Sequence, residues 1–326
     1  MKIAILYDNI SNENNPDEID ILHQITVVKK SLTSKMNKIV EIPFNPDFKE
    51  FSDIVDKEKP DFVFNLVESV GGKGSLIHLA PEYLETLNIP FTGSSSEALK
   101  TTSNKLDAKI KMETTDIPTA DWVTLKEEYI KSPVERKKFI IKAVWEHASK
   151  GIDSESIVTV NSIEELREKI KAKNEKEGYE FFAEEFIDGR EFNVAVISRD
   201  GEPICLNPAE LKFYNFEKKH KIVDFKAKWD VTSSQYDDIK ICSEFTDNDK
   251  ELLNNLKIIS LKAWEVFKIK GYARFDYRVS LDNQIYMLEV NANPCISPDA
   301  GFFAACVKAG LKIKNIIKWI SQDLNK

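Results

Sequence analysis

The residues best suited to chemistry lie in one stretch near the end of the chain, 271–301. Two runs of alternating apolar residues flank Asp282 and Asn283 there, which predicts a β-hairpin. With the turn centred on those two residues, strand pairing places two opposed pairs on one face of the sheet, because side chains alternate with a period of two. The two pairs are Asp276 with Glu289 and Arg274 with Asn291.

Two carboxylates in directly opposed positions repel each other, since their Cβ atoms lie only ~4.5–5.5 Å apart. A divalent cation relieves that repulsion, and carboxylate and amide oxygens are ligands that Mg²⁺ and Mn²⁺ prefer. The hairpin therefore predicts a metal site formed by Asp276, Glu289 and Asn291, at which Mg²⁺ would also hold substrate phosphates. The alternative is a solvated sheet face whose charges pair diagonally.

Features earlier in the chain predict a nucleotide site beside such a metal. Lys142 ends a compact apolar strand just before a small-residue loop, where a lysine and loop amides can meet phosphate oxygens. Lys105, on the first turns of a helix, is a further phosphate candidate. The segment 182–191 combines an apolar strand, acids, a tight turn and Glu191, which could accept hydrogen bonds from ribose hydroxyls. The alternatives are lysines that extend into solvent and an ordinary hairpin with solvated acids.

The residues after the hairpin predict an anion site beside the metal. Ser297 is a good N-cap and Pro298 suits the first helical position, so the free amides of a helix N-terminus would face an anion. Cys295 is interpreted as a small loop residue rather than a nucleophile, because no partner histidine is evident among the four in the chain. No Walker GxxxxGK[ST] motif is present and no GxGxxG motif follows a strand, so any ATP is bound by another route.

Composition limits the classes of protein that the chain can represent. With 326 residues it is long enough for two or three domains, and its formal net charge of −8 argues against a general nucleic-acid or anionic-membrane surface. The four cysteines are widely spaced without a CxxC pair, which indicates reduced thiols in a cytoplasm. The chain begins directly in a strand-like run and no apolar run approaches ~18 residues, so neither a signal peptide nor a membrane span is expected.

The pattern of elements predicts three domains. Residues 1–96 alternate strands and helices, which implies a parallel sheet with helices on both faces. Residues 97–187 form a small α+β unit whose first helix is capped by Ser103. Residues 188–326 contain a strand, a long polar loop over 207–246, a helix, the hairpin and two terminal helices.

In this order, the features resemble the ATP-grasp enzymes, and more narrowly the D-alanine–D-alanine ligases and their relatives. The resemblance extends over nearly the whole chain, because 65–68, the glycine turn 71–74 and 90–93 match the family's N-terminal domain. It implies an α/β fold, α+β in the ATP-binding region, with the three-domain ATP-grasp architecture and an N-terminal Rossmann-like (pre-ATP-grasp) domain. The residues that carry it are Lys105, Lys142, Glu184, Glu191, Arg274, Asp276, Leu288, Glu289 and Asn291.

The resemblance implies an ATP-dependent ligase that forms a carbon–nitrogen bond. Such an enzyme phosphorylates the carboxylate of one amino acid, and the amine of a second attacks the acyl phosphate, with release of ADP and phosphate. ATP and two Mg²⁺ ions, or Mn²⁺ instead, are the implied cofactors. Small-molecule amino acids are the implied partners, without nucleic acid or membrane, and a cytoplasmic homodimer in peptidoglycan biosynthesis is expected.

The resemblance also assigns roles to residues. ATP contacts fall to Lys105, Lys142, Ser149, Gly151, Glu184, Glu185, Ile187, Glu191 and Lys228. The Mg²⁺ ligands are Asp276, Glu289 and Asn291. Catalytic roles fall to Arg274, Lys228, Glu18 and Ser149. Substrate contacts fall to Glu18, Trp229, Arg274, Asn293, Cys295, Ala300 and Gly301.

Several positions depart from the family's usual residues. Glu18 is the best equivalent of an acidic residue that the family carries in the loop after the first strand, which is longer here. Residues 224–229 resemble the mobile loop that closes over the family's site, with Lys228 reaching the γ-phosphate, and Trp229 beside it stands where a tyrosine is usual. Cys295 replaces a glycine, and Ala300 replaces the serine that receives the acceptor's carboxylate. The ATP machinery is therefore retained while amino-acid recognition has changed, so D-alanine, another amino acid and a dipeptide all stay open as substrates. An ATP-grasp kinase or a nucleotide-binding regulator without ligation is the alternative from a different class.

Overall fold

Three β-sheets organise the chain in the computed structural model. We name them the N-terminal, central and C-terminal sheets. The structure describes residues 1–9, 16–145, 152–216, 220–223, 238–298 and 300–325.

The N-terminal sheet contains the predicted parallel strands, and its strand order is β4-β3-β1-β2. Its core forms where apolar side chains of β1 and β3 meet the flanking helices, which explains why Ile5 and Phe64 are fully buried. The strands are β1 (Lys2–Asp8), β2 (Lys38–Phe44), β3 (Phe62–Asn65) and β4 (Phe91–Thr92), and the helices are α1 (Pro16–Leu32), α2 (Phe48–Glu58) and α3 (Leu79–Thr86).

Two short helices, α4 (Ser96–Ser103) and α5 (Lys105–Thr114), lead to the central sheet. The prediction that Ser103 caps a helix is wrong, because Ser103 ends α4. Asn104 caps α5 instead, since its side chain accepts from the amides of Leu106 and Asp107 at 3.0 and 3.2 Å. Asn104 thus sets the direction of the helix that carries Lys105.

The central sheet is antiparallel, with strand order β6-β5-β9-β7-β8. The helix α6 (Ile163–Glu177) packs on one face through Leu166 and Ile170. As predicted, α6 begins after Ser162, whose hydroxyl accepts from the Glu165 amide at 3.2 Å. The strands are β5 (Trp122–Val123), β6 (Glu128–Tyr129), β7 (Lys137–Ala143), β8 (Ile157–Val160) and β9 (Phe181–Glu185).

The C-terminal sheet has the strand order β13-β12-β10-β14-β15, with β11 paired to β10. The prediction of a polar loop over 207–246 is wrong where β12 and β13 pair with each other, with Leu211 opposite Ile241. The polar residues in these two strands obscure the apolar alternation by which a strand is recognised in a sequence. Pairing of β12 with β10 holds both strands in the sheet. The strands are β10 (Gly189–Arg199), β11 (Glu202–Cys205), β12 (Ala209–Phe213), β13 (Ile239–Cys242), β14 (Tyr272–Ser280) and β15 (Ile285–Asn291).

Three helices complete the C-terminal part: α7 (Lys250–Val266), α8 (Gly301–Lys308) and α9 (Ile313–Gln322). The last strand, β16 (Leu324–Asn325), returns to pair antiparallel with β4 of the N-terminal sheet. The ends of the chain therefore share one sheet, and the domain boundaries after residues 96 and 187 stay a prediction. In the ranges that the structure describes, no helix is long and apolar enough to cross a membrane.

The predicted N-cap at Ser297 is wrong. The helix α8 begins at Gly301, with Ala300 as its N-cap residue. The Ser297 hydroxyl instead donates to the Asp20 carboxylate on α1, and the Ser297 carbonyl oxygen accepts from the Ala300 amide at 3.0 Å. A contact with a distant helix therefore outweighs the local capping preference of serine.

Candidate active site

The hairpin of β14 and β15 pairs its residues as the sequence predicts. Asp276 lies directly opposite Glu289, and Arg274 lies directly opposite Asn291. All four side chains share one face of the C-terminal sheet, so two carboxylates stand beside each other.

The turn that leads to this pairing differs from the prediction. Val279 pairs with Ile285, so the loop covers 281–283, and Asn283 adopts a positive φ of 62°. A β-bulge at Leu288 offsets the extra loop residue and restores the predicted pairs.

Asp276 accepts three hydrogen bonds on this face. Arg274 donates to its two oxygens from Nε and Nη2 at 2.8 and 2.9 Å, and Asn193 Nδ2 donates at 2.7 Å. Burial opposes the charge of Arg274, but Asp276 and then Glu289 outweigh it and raise the pKa of the guanidinium above its usual value. Arg274 is therefore a fixed, permanently charged group.

The polar face continues onto β10, where Asn193 lies opposite Asp276 and Glu191 lies opposite Arg278. The opposite face of the same strands is apolar, because Phe192 and Phe275 pack against α7. The alternation of β10 and β14 thus separates a polar face from the core.

Glu191 connects the C-terminal sheet to the central sheet. Its Oε2 lies 2.9 Å from Arg278 Nη2. Burial raises the pKa of Glu191, whereas the charges of Arg278 and Lys142 act in the opposite direction. Lys142 belongs to β7, so the two predicted nucleotide contacts lie near each other across the two sheets.

Lys142 itself belongs to a buried cluster with two lysines and one carboxylate. Glu184, which is 1% exposed, lies 2.5 Å from Lys142 Nζ and 2.6 Å from Lys109 Nζ. Lys109 also donates to Thr119 Oγ1 at 2.8 Å and to the Ala120 carbonyl oxygen at 3.2 Å. Burial would raise the pKa of Glu184, but the charges of Lys109 and Lys142 outweigh it and lower that pKa.

Other predicted nucleotide contacts lie on the neighbouring elements. Lys105 begins α5 and is 8% exposed. Glu185 Oε2 lies 3.0 Å from Lys137 Nζ, and Ile187 is buried in the connection between β9 and β10. These residues thus lie on α5, on the central sheet and on its connection to the C-terminal sheet, and their contacts with ATP stay a prediction.

A second polar cluster joins the loop after β15 to the N-terminal sheet. Cys295 Sγ donates to Asp20 Oδ2 at 2.8 Å. Gln24 Nε2 donates to Glu68 Oε1 at 2.7 Å. Asn293 donates from Nδ2 to the carbonyl oxygen of Val67, at 2.8 Å.

The Cys295 thiol lies in an acidic environment. Burial, followed by the negative charges of Glu68 and Asp20, raises the pKa of Cys295 above its usual value. The interpretation of Cys295 as a loop residue rather than an activated nucleophile agrees with this environment.

Several predicted residues lie outside the described part of the chain, namely Ser149, Gly151, Lys228 and Trp229. Glu18 belongs to α1, but its side chain is also outside the described part. Ala300 and Gly301 form the N-cap and first residue of α8. Among the described residues, no group of three or more His, Cys, Asp or Glu side chains is arranged to hold a metal ion, so the mixed carboxylate and amide site stays a prediction.

Sequence reasoning missed several residues of the site. Lys109 had a usable signal, because it follows Lys105 by one helical turn and such residues share a helix face. Asn193 and Arg278 continue the period-two pattern of Glu191 and Asp276, but only the register of β10 against β14 brings them together. Asp20 lies two residues from the predicted Glu18, and no local pattern distinguishes the two acids.

Comparison with known proteins identifies the family. Residues 112–322, about two thirds of the chain, match the family model described as "D-ala D-ala ligase C-terminus". A D-alanine–D-alanine ligase of Aquifex aeolicus is 27% identical over 98% of this chain and 99% of its own. The D-alanine–D-alanine ligase B of Clostridium perfringens is 23% identical over 100% and 99%.

Solved structures agree on the fold. A D-alanine–D-alanine ligase of Bacillus anthracis complexed with ATP superposes with a TM-score of 0.71 at 19% identity, covering 99% of this chain and 97% of that chain. The VanG D-Ala:D-Ser ligase of Enterococcus faecalis gives 0.69 at 17% identity, covering 98% of each. The predicted α/β ATP-grasp fold is therefore confirmed, and the chain belongs to the D-alanine–D-alanine ligase family, whose members are ATP-dependent ligases that form a carbon–nitrogen bond.

Proposed function

We propose that this ligase joins the carboxylate of one amino acid to the amine of a second substrate through an acyl phosphate, with ATP and Mg²⁺. The observation that supports this most is the placement of Arg274 and Asn291 beside the opposed carboxylates Asp276 and Glu289. Phosphoryl transfer needs fixed positive charge and oxygen ligands at one point, because negative charge moves onto the transferred group and the attacked oxygen.

The proposed nucleotide site lies where the central sheet meets the C-terminal sheet. Lys109 and Lys142 share a single carboxylate, Glu184, so this buried trio carries a net positive charge when both lysines are protonated, and burial opposes that charge by lowering the pKa of Lys109. A buried net charge is unfavourable unless an anion offsets it, which supports binding of the ATP phosphates by Lys142, with Lys105 nearby. The adenine would then contact 184–187, and the ribose would contact Glu191.

The residues fit Mg²⁺ by the chemistry of their donors. Asp276, Glu289 and Asn291 offer hard oxygen ligands, and the opposed carboxylates gain from a shared cation. Asp276 Oδ1 already accepts two hydrogen bonds, from Arg274 Nε and Asn193 Nδ2, but Oδ2 accepts only the one from Arg274 Nη2 and keeps a lone pair for a cation. When bound, Mg²⁺ would offset the charge of the ATP phosphates.

Arg274 is the proposed catalytic cation. Its two hydrogen bonds to Asp276 fix the plane of the guanidinium, which can then stabilise the developing acyl phosphate and the tetrahedral intermediate without reorganising. Ser149 and Lys228, from segments outside the described part, would cover the phosphates and keep water from the acyl phosphate.

The proposed amino-acid site lies at the second polar cluster, between α1 and the loop after β15. Asp20 and Glu68 bring negative charge to Cys295, which supports a substrate that carries an ammonium group. Glu18, Trp229, Asn293, Ala300 and Gly301 remain candidates for further substrate contacts. D-alanine is the first substrate to test, and another amino acid or a dipeptide is the alternative.

The proposal includes a cytoplasmic role in peptidoglycan biosynthesis, as a homodimer. The cysteines support the cytoplasmic part of this proposal, because all four are free thiols, as is usual in a reducing compartment.

The test is a panel of D- and L-amino acids incubated with ATP and Mg²⁺. Release of phosphate only in the presence of an amine acceptor, with a condensed product by mass spectrometry, supports ligation. The Glu289→Gln variant serves as the inactive control. A phosphorylated product without condensation would favour a kinase, and ATP binding without turnover across the panel would favour a regulator.

A further inference from the structure

Arg278 is a buried arginine on the polar face of β14 to which the ligase chemistry assigns no role. It is 4% exposed and lies opposite Glu191. Its Nη2 lies 2.9 Å from Glu191 Oε2 and also donates to the Lys221 carbonyl oxygen. Its Nη1 is buried and has no hydrogen-bond partner among the residues that the structure describes. Because buried donors are nearly always paired, this atom indicates a missing acceptor.

Two aromatic rings hold the guanidinium of Arg278 in place. Its Cζ lies 5.5 Å from the ring centroid of Phe186 and 5.8 Å from that of Phe213. Phe186 lies between Glu185 and Ile187, the residues proposed to contact the adenine. The unpaired Nη1 is therefore a rigidly held donor beside the nucleoside end of the proposed nucleotide site.

The acceptor needed here must also suit Glu191. A carboxylate accepts hydrogen bonds and a guanidinium donates them, so a group that does both can satisfy the pair at once. A hydroxyl has this property, and the ribose of a nucleotide carries two adjacent hydroxyls. A phosphate would suit Arg278 but would be repelled by Glu191.

We propose that Arg278 and Glu191 together bind the ribose diol of ATP, with Arg278 Nη1 donating to a hydroxyl oxygen while Glu191 accepts from a hydroxyl. The proposal rests on the proposed function, because it needs a nucleotide in the site. It makes Arg278 a residue that distinguishes ribonucleotides from nucleotides without the diol.

Isothermal titration calorimetry on the full chain with ATP and with 2′,3′-dideoxy-ATP tests the proposal. Wild type should bind ATP about tenfold or more tightly than the dideoxy compound, because hydrogen bonds between charged and neutral groups are lost. In Arg278→Met and Arg278→Lys, this ratio should fall by about fivefold or more. The lysine variant keeps the charge but has one donor nitrogen in place of Nη1 and Nη2. It allows the ratio to be measured if the methionine variant fails to fold.

Arg190→Met is the matched control. Arg190 precedes Glu191 on β10, and the alternation of the strand turns its side chain to the other face, where it pairs with Glu210 at 2.9 Å and with Asp249 at 2.6 Å. This variant should keep the wild-type ratio. An unchanged ratio in both Arg278 variants would overturn the ribose assignment alone. Failure of wild type to bind either nucleotide would overturn the proposed function as well.

Discussion

Asp276 faces Glu289 across the β14–β15 pair, yet its charge is compensated within the sheet, because Arg274 binds both of its oxygens at 2.8 and 2.9 Å. Asp276→Asn would leave Arg274 without its counter-ion, so we expect the free energy of unfolding to fall by about 1–3 kcal/mol. Glu289→Gln removes the repulsion with Asp276 but also a negative charge that favours the Arg274 cation, so the two effects oppose each other and we expect a smaller change, within about 1 kcal/mol.

Both variants should lose ligation, since each removes a proposed metal ligand. Urea denaturation separates their stabilities, and phosphate release measures their activity. Glu251→Gln, on the exposed side of α7, is the control and should resemble wild type in both measurements. Wild-type turnover in either hairpin variant would refute the metal assignment.

Lys109 should matter to stability as much as to ATP binding. Lys109→Met removes one of two counter-ions of the buried Glu184 and leaves Thr119 without its donor, so the free energy of unfolding should fall by about 3–5 kcal/mol. Chemical denaturation checks this. Lys171→Met is the control, because Lys171 is 69% exposed and pairs only across the surface of α6. A stable Lys109→Met variant would show that the cluster does not need its second lysine.

Glu184 also predicts a pH dependence. The lysines lower its pKa in the folded state below the ordinary value of 4.5, so its contribution to stability is present above that pH and is lost as the pH falls. Glu184→Gln should be less stable than wild type at pH 7, and the two unfolding free energies should converge as the pH drops below 4.5. Denaturant titrations at several pH values test this, and a constant gap down to the lowest pH would contradict it.

The hairpin register could be predicted because Asp276 and Glu289 are close in the chain and the pleat decides their common face. The pairing of Asn193 with Asp276 could not, because β10 and β14 are joined by no turn that would set their register. The predicted N-cap at Ser297 is wrong for a related reason, because its hydroxyl donates to Asp20, which is far away in the sequence. Local patterns thus predicted which segment carries the opposed carboxylates. Contacts between segments that are distant in the chain decide which other side chains bind to them, and the sequence alone does not show those contacts.

Gly189 at the start of β10 should tolerate no side chain. A Cβ there would lie 2.1 Å from the carbonyl oxygen of Val279, and the residue has a φ of 149°. We expect Gly189→Ala to cost about 3 kcal/mol or more, with a lower urea midpoint. Gly201→Ala is the control, because its φ of 86° is also positive but the space around it is open, so about 1–2 kcal/mol is expected. Equal costs would mean that backbone conformation alone decides both.

Cys295 should prove dispensable for the chemical step. Its thiol donates to Asp20, and burial with nearby negative charge raises its pKa, so little thiolate forms at neutral pH. Cys295→Ser should therefore retain turnover within about tenfold of wild type, since a hydroxyl can make the same hydrogen bond.

Iodoacetamide labelling at pH 8, followed by peptide mass spectrometry, provides an independent measurement of the same thiol. Cys295 should react about tenfold or more slowly than Cys242, whose thiol hydrogen bond to the Glu244 carbonyl oxygen is exposed, whereas that of Cys295 to Asp20 is partly buried. Cys242→Ser serves as the control that identifies the fast-reacting site. Rapid alkylation at Cys295 with matching loss of turnover would instead make this thiol part of the chemistry, and the acidic environment of Asp20 and Glu68 would then need another explanation.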